Sequence, residues 1–128
     1  MKLRTGFVSN SSSSSFVIVA KLKWYIKCLE EADDYVKHVI KALKPDYIEV
    51  FETPCVVIEG YNDSEGSMFH EMPDHESEKA AWDEESQLYL DAEGNEIDVI
   101  HNRSEALDKF EELLSRDKDR IFLHTMDL

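Results

Sequence analysis

The chain has 128 residues, 42% of them hydrophobic, and a net charge of −14 at pH 7. This length and apolar share exclude a wholly disordered chain and predict a single domain over residues 1–128 with a core of its own. No apolar run approaches the roughly 18 residues of a membrane span, and the run Phe16–Ala20 is too short for a signal peptide. We therefore expect a cytoplasmic protein without a membrane partner.

The negative charge is concentrated in the middle of the chain. Residues 49–99 contain sixteen Asp and Glu and one Lys, whereas residues 1–48 contain eight basic and five acidic residues. Phosphates would be repelled by such a region, which argues against direct binding of nucleic acid. A basic protein surface, a cation or solubility alone are compatible with it. The pattern carries no information on oligomeric state.

In chain order, the first feature is a serine tract between two apolar stretches. Phe7-Val8 and Phe16–Ala20 favour strands and bracket Asn10 and five serines. We predict a short extended piece, a turn at Asn10 and a strand from about Ser15 to Leu22. A flexible linker and an anion-binding cradle of hydroxyls and amides are the alternatives. The cradle is disfavoured because a phosphate loop needs Gly inside the run and a helix after it.

The same tract resembles a known N-terminal signature. Residues 4–16 match R-x-G-F-V-S-N-S-S-S-S-S-F, which occurs at the start of small proteins of unknown function from bacteria and their tailed phages. The chains that follow this signature are otherwise diverse. The resemblance implies a bacterial or phage origin, and it transfers no catalytic residue.

The next elements are a helix and two strands. Apolar residues recur at three- and four-residue spacing and predict one amphipathic helix, which Pro45 ends. These residues are Leu29, Ala32, Val36, Val39, Ile40 and Leu43. The segments 47–51 and 55–59 read as antiparallel strands around Thr53-Pro54, and Gly60 is expected to end the second strand.

Residues 61–86 form an irregular acidic segment, for which we predict one short helix at about 76–85, tied down by Trp82. A hairpin follows, with strands at 87–90 and 96–100 and with Gly94 in the turn. Ser104 is the expected N-cap of a helix at 105–115, and a buried strand at 120–125 ends the chain.

The resulting order is β-α-β-β-(acidic loop)-β-β-α-β. It predicts an α+β fold of two layers, with two helices on one face of a mostly antiparallel sheet. A ferredoxin-like core with an inserted hairpin is one arrangement that has this order.

One stretch concentrates residues that bind metals. The candidate ligands are His70, Glu71, Asp74 and His75. The two histidines are five residues apart with Pro73 between them, so they cannot share one helical face as zincin ligands do. A solvated acidic loop is the better interpretation, and we expect no metal and no cofactor.

The G-x-S-x-G motif of nucleophilic catalysis is absent from the sequence. The two cysteines, Cys28 and Cys55, form no CxxC pair. Two buried thiols are the simpler interpretation. The chain therefore reads as a non-enzyme, although an enzyme with an unrecognised site near the serine turn and the 70–76 loop stays an alternative.

The function that these features favour is an acidic accessory protein that binds a basic protein surface. A second form of this hypothesis is a DNA mimic that inhibits a host DNA-binding protein, for which carboxylates must stand on rigid elements. We expect the interaction surface to comprise seven residues: Asp74, Glu76, Glu78, Trp82, Asp83, Glu84 and Glu85.

Overall fold

The computed structural model describes residues 13–63 and 67–126. Within these ranges the strands are β1 (Ser13–Lys21), β2 (Asp46–Val50), β3 (Thr53–Asp63), β4 (Ala81–Asp83), β5 (Leu88–Leu90) and β6 (Ile121–Met126). The α-helices are α1 (Leu22–Glu31), α2 (Asp34–Ala42), α3 (Ser67–His70) and α4 (Val99–Leu114). Short 3₁₀ turns lie at Glu76–Glu78 and Lys118–Arg120.

The predicted first strand is confirmed, and the end of the serine tract belongs to it. Ser13, Ser14 and Ser15 pair with residues 61–63 of β3. Phe16 and Ile18 are buried while the alternating Val17 is half-buried, as expected for a strand that presents one face to the core. The predicted turn at Asn10 and the extended piece at Phe7-Val8 lie outside the described residues.

The prediction of one helix over Leu29–Leu43 was wrong, because α1 and α2 replace it. Ala32 is extended, and the Asp33 side chain accepts a hydrogen bond from the Val36 amide at 2.9 Å. An aspartate that caps a new helix satisfies one of the free amides of its first turn, so the chain breaks there. Val39 and Ile40 keep their predicted place in the core.

The main sheet has the strand order β2-β3-β1-β6, and its paired strands are antiparallel. Since β3 is antiparallel to both β1 and β2, these two are parallel to each other, with α1 and α2 in the connection between them. In the same way β3 and β6 are parallel on either side of β1, with α4 in their connection. Two interleaved split β-α-β units of this kind form the ferredoxin-like arrangement, and the α+β class is confirmed.

The core lies between the sheet and the helices. Ile18, Val39 and Phe110, from β1, α2 and α4, are each at most 1% exposed and belong to one apolar cluster. No described helix has both the length and the apolar character needed to cross a membrane. Where the sequence predicted two helices, the described part of the chain has three longer helices, α1, α2 and α4, and the single turn α3.

Gly60 does not end β3 as predicted, since the strand continues to Asp63. Gly60 pairs with Phe16 of β1. A Cβ atom built on Gly60 would lie 2.9 Å from the Phe16 ring and would overlap the Met68 sulfur. The glycine is therefore the residue that lets α3 approach the strand closely.

The structure corrects the predictions for the acidic middle of the chain. Instead of a helix at 76–85, a single 3₁₀ turn is followed by β4, which carries Trp82. The hairpin partner of β5 is β4, whereas only an isolated bridge joins Leu90 to Glu96. Gly94 does have the positive φ of the expected turn, +85°.

The second predicted helix is longer than expected at its N-terminus. α4 begins at Val99, and Asp98 caps it by accepting a hydrogen bond from the His101 amide at 3.0 Å. The expected cap, Ser104, therefore lies inside the helix. The predicted apolar face is confirmed, since Ala106, Leu107 and Phe110 are buried.

Candidate interaction surface

The acidic segment is anchored by one buried arginine. Arg103, on α4, is 0% exposed. Its Nε donates to Oε1 of Glu78 at 2.7 Å and its Nη2 donates to Oε2 at 2.9 Å, which makes a two-pronged pair with a carboxylate that is itself 8% exposed. A bidentate pair of this kind fixes orientation as well as distance.

The remaining donors of Arg103 bind the backbone between α3 and the 3₁₀ turn. Nη1 donates to the carbonyls of Phe69 and Met72, and Nη2 donates to the carbonyl of Pro73 at 3.3 Å. Nη2 also contacts the exposed carboxylate of Asp74 at 3.4 Å. A guanidinium saturated by its own chain in this way has a structural role, and it holds the segment 69–78 against α4.

Glu78 is held by two further donors. The Tyr35 hydroxyl donates to Oε1 at 3.0 Å and the His75 amide donates to Oε2 at 3.1 Å. The His75 ring in turn accepts a hydrogen bond from the Ser77 amide at 3.2 Å. His75 and Glu78 thus form a capping box at the start of the 3₁₀ turn. Burial alone would raise the pKa of Glu78, but the hydrogen bonds and charge of Arg103 outweigh it, and its pKa lies below the usual 4.5.

We expect acid to destabilise the domain through Glu78. Its pKa is lower in the folded than in the unfolded chain, so the stabilisation is complete above about pH 4.5 and is lost as pH falls through the folded value. The free energy of unfolding, measured by urea titration between pH 7 and pH 3, should therefore decrease below pH 4.5. In Glu78→Gln the same decrease should be smaller. An equal slope in both proteins would contradict the assignment.

Four of the seven residues of the predicted interaction surface are exposed, on the anchored segment or on the β4–β5 hairpin that follows it. Glu76, Glu84 and Glu85 are exposed, and the Asp74 side chain is 63% exposed. Glu78 was wrongly included, because burial against Arg103 removes it from the surface. The role of Arg103 was not predicted from the sequence. Its signal was a single charge at helical spacing from Val99, Ala106 and Phe110. The predicted helix began after Ser104 and therefore did not include this residue.

The β4–β5 hairpin presents the second half of the surface. Asp83 Oδ2 accepts from the Ser86 amide at 2.9 Å and also from its hydroxyl, which closes the turn that carries Glu84 and Glu85. Those hydrogen bonds hold the pKa of Asp83 below its usual value. Trp82 is half-buried, and its ring meets those of His70 and Tyr89 edge to face, at centroid distances of 4.5 and 5.0 Å.

The four candidate metal ligands are not gathered at one site. His70 Nδ1 lies 3.3 Å from the Tyr89 hydroxyl, Asp74 contacts Arg103, and His75 caps the 3₁₀ turn, whereas Glu71 is exposed. Across residues 13–63 and 67–126, no group of three or more His, Cys, Asp or Glu is placed to hold a metal ion.

A cavity of about 310 Å³ adjoins the anchored segment, between α2, α4 and the 3₁₀ turn. Tyr35, Asn102, Glu105 and Lys109 contribute polar groups to its lining. Burial, followed by the hydrogen bond to Glu78, raises the pKa of Tyr35 well above its usual value, so its hydroxyl is a donor and not a base at neutral pH. This lining contains neither a cysteine nor a histidine.

The cysteines are both buried and free, as the sequence suggested. The Cys28 thiol lies 3.5 Å from the Leu113 carbonyl. Burial, with the nearby charge of Glu31, raises the pKa of Cys28 to about 11. A thiol that is protonated at neutral pH is a poor nucleophile, so Cys28 serves the core.

Comparison of the chain with protein-family models, with curated proteins and with solved structures finds no match.

Proposed function

We propose that the protein is a cytoplasmic accessory protein of bacterial or phage origin. It binds a basic protein surface through residues 69–85 of the acidic segment. The origin is supported by the N-terminal signature of residues 4–16. The binding role is supported by the charge, since residues 49–99 contain sixteen acids and one lysine.

The observation that carries the proposal is the anchoring of this segment. An acidic loop that moved freely would be ordered only on binding, which costs conformational entropy. Here the buried pair of Arg103 and Glu78 fixes the backbone from Phe69 to Glu78, and Asp83 closes the hairpin turn. The segment that carries the exposed carboxylates is therefore already ordered before a partner arrives. A fixed arrangement of charges favours a partner with a complementary basic surface over other basic proteins.

The experiment is affinity capture from a lysate of the native host, followed by titration of each captured protein. We compare the wild-type chain with the triple variant Glu76→Lys, Glu84→Lys, Glu85→Lys. The affinity of a genuine partner should fall at least about tenfold in this variant, mainly through slower association.

A matched control reverses three exposed acids elsewhere, in the triple variant Glu30→Lys, Asp108→Lys, Glu112→Lys. Both variants change the net charge from −14 to −8, because each reversal adds two charges. If the control loses as much affinity as the test variant, net charge and not the acidic segment governs binding, and the proposal fails.

The DNA-mimic form of the proposal gains support from the same anchoring, because mimicry needs carboxylates on rigid elements. Competition with duplex DNA for the captured protein distinguishes the mimic from the more general form of the proposal. A captured DNA-binding protein that duplex DNA displaces from the chain would favour the mimic, whereas a partner that is indifferent to DNA would remove it.

A further inference from the structure

We propose that a cavity beside the β4–β5 hairpin receives an arginine side chain of the basic partner. This inference rests on the proposed function and names the group that the surface recognises. The cavity has a volume of about 180 Å³ and is lined by residues of the hairpin, by His70 of α3 and by residues 96–100, which lead into α4. Leu88 and Glu96 in its lining are exposed, so the cavity is reached from solvent.

Three aromatic rings stand together in the lining of this cavity. They belong to His70, Trp82 and Tyr89, and the centroids of each pair are 4.5 to 5.8 Å apart. The faces of tryptophan and tyrosine rings carry partial negative charge and attract a cation within about 6 Å. Tyr89 already holds one guanidinium in this way, because Arg103 lies 5.8 Å from its ring centroid. The rings therefore suit a further cation that enters the cavity.

Two carboxylates complete the lining. Asp98 uses one oxygen, Oδ1, to cap α4, whereas the Glu96 carboxylate forms no hydrogen bond or ion pair with any residue that the structure describes. None of the described residues that line the cavity is lysine or arginine. The charge of Arg103, beside Tyr89, is compensated by its bidentate pair with Glu78. A cation that enters the cavity therefore meets negative charge that the fold leaves unpaired.

The apolar part of the lining selects a side chain over a bare ion. Leu88 and Ile97 line the cavity together with the aromatic rings, and a metal ion gains nothing from such groups. An arginine offers an aliphatic stem to the apolar side chains and a planar guanidinium to the rings and the carboxylates. Lysine carries a compact, strongly hydrated charge that does not stack, so we expect it to bind more weakly.

Gln87 joins the cavity to the acidic turn of the hairpin. It lines the cavity, and its Nε2 donates to the carbonyl of Glu84 at 2.7 Å. Glu84 and Glu85 are exposed on that turn. A basic surface that meets these two carboxylates lies next to the cavity, where one of its arginines can be inserted. The inserted residue is then a central contact of the kind that dominates binding energy, and the acids around it are the rim.

The test is an NMR titration of the full chain with N-acetyl-arginine methylamide, at about pH 8, where imidazole side chains are neutral, and at ~0.05 M salt. We expect saturable shifts at the Trp82 indole and the Glu96 amide, with a dissociation constant in about the millimolar range. The indole of Trp24 is an internal control that should not shift, because Lys27 and Arg120 already lie over its ring.

The neutral control compound is N-acetyl-citrulline methylamide, which has the shape of the arginine compound without its charge. It should bind at least about tenfold more weakly, and the lysine compound should fall between the two. Equal shifts with the arginine and citrulline compounds, or shifts that map to other acids and spare the cavity, would overturn the proposal.

Glu96→Gln removes the unpaired charge and should weaken binding of the arginine compound by about threefold. Glu93→Gln is the matched control, because Glu93 is exposed, has no part in the lining and carries the same charge. It should change the dissociation constant by less than about 1.5-fold. Trp82→Leu should weaken binding by about fivefold or more. Since Trp82 also packs the hairpin, the two glutamate variants carry the decision, and equal losses in both would refute the cavity as the site.

A captured partner separates this inference from the proposed function. If the triple variant at Glu76, Glu84 and Glu85 loses the partner while Glu96→Gln and Trp82→Leu keep full affinity, the proposed function stands and the arginine contact is wrong. If the arginine compound binds in the cavity but no captured protein depends on the acidic segment, the proposed function fails and the cavity is still an arginine site.

Discussion

Replacing Arg103 with methionine should lower the free energy of unfolding by about 3–5 kcal/mol. The substitution leaves the Glu78 carboxylate buried without its charge partner, and it leaves the carbonyls of Phe69 and Met72 without their donor. Removing one member of a buried pair costs more than the pair itself contributes, because the remaining charge must stay in a medium of low polarity. Urea denaturation followed by circular dichroism measures the loss.

The matched control is Arg116→Met, at an exposed arginine just beyond the end of α4, which should change the free energy of unfolding by less than about 0.5 kcal/mol. The double variant Arg103→Met, Glu78→Met completes a cycle. It should be more stable than Arg103→Met alone, because it removes the orphaned charge as well. A single variant no worse than Arg116→Met would show that the pair does not anchor the segment.

Replacing Val39 with aspartate should be at least as damaging, with a loss of more than about 4 kcal/mol. Val39 is 0% exposed, and its neighbours in the apolar cluster offer a carboxylate no partner of opposite charge. A typical domain of this size is stable by only about 5–15 kcal/mol, so this loss removes between about a quarter and most of its stability. Thermal denaturation and the dispersion of amide resonances in NMR spectra check this result.

Its control lies two residues earlier on the same helix. Lys37→Asp introduces the same side chain at a half-buried position and should cost about 1 kcal/mol or less. If Val39→Asp melted at the temperature of the Lys37 variant, the apolar stripe of α2 would not be part of the core. If both variants unfolded, charge on α2 and not burial of Val39 would be the cause.

The elements that the sequence predicted well are those whose side chains repeat with one period. β1, β2, β3 and β6 contain β-branched and aromatic residues, and α4 shows its apolar spacing from Ala106 onwards. Two details of these strands were wrong: β6 is not buried, since Phe122 is 43% exposed, and Thr53-Pro54 belong to β3 and not to the turn before it. Boundaries were less predictable because single polar side chains set them. Asp33 and Asp98 cap helices by bonding one amide each, and neither differs in the sequence from the many solvated acids around it.

The sequence predicted where the acidic candidate surface lies, but not which of its side chains are buried. The excess of acids in residues 49–99 identifies the region from composition alone, and most of the expected carboxylates are exposed. Which of them is buried was not predictable, since Glu78 looks like its neighbours until Arg103 is placed 2.7 Å away, 25 positions along the chain. The pairing of β4 with β5 depends likewise on a turn closed by Asp83 and Ser86.

By itself the sequence determined the α+β class, the amphipathic stripes that form the core and the position of the negative charge. These follow from the period and composition of short windows, which local sterics and the burial of apolar area translate directly into elements. Tertiary structure alone decided that the acidic segment is anchored and that β2 is left at an edge. Both depend on contacts between residues far apart in the chain, and the energy of such contacts exists only once the sheet and α4 have come together.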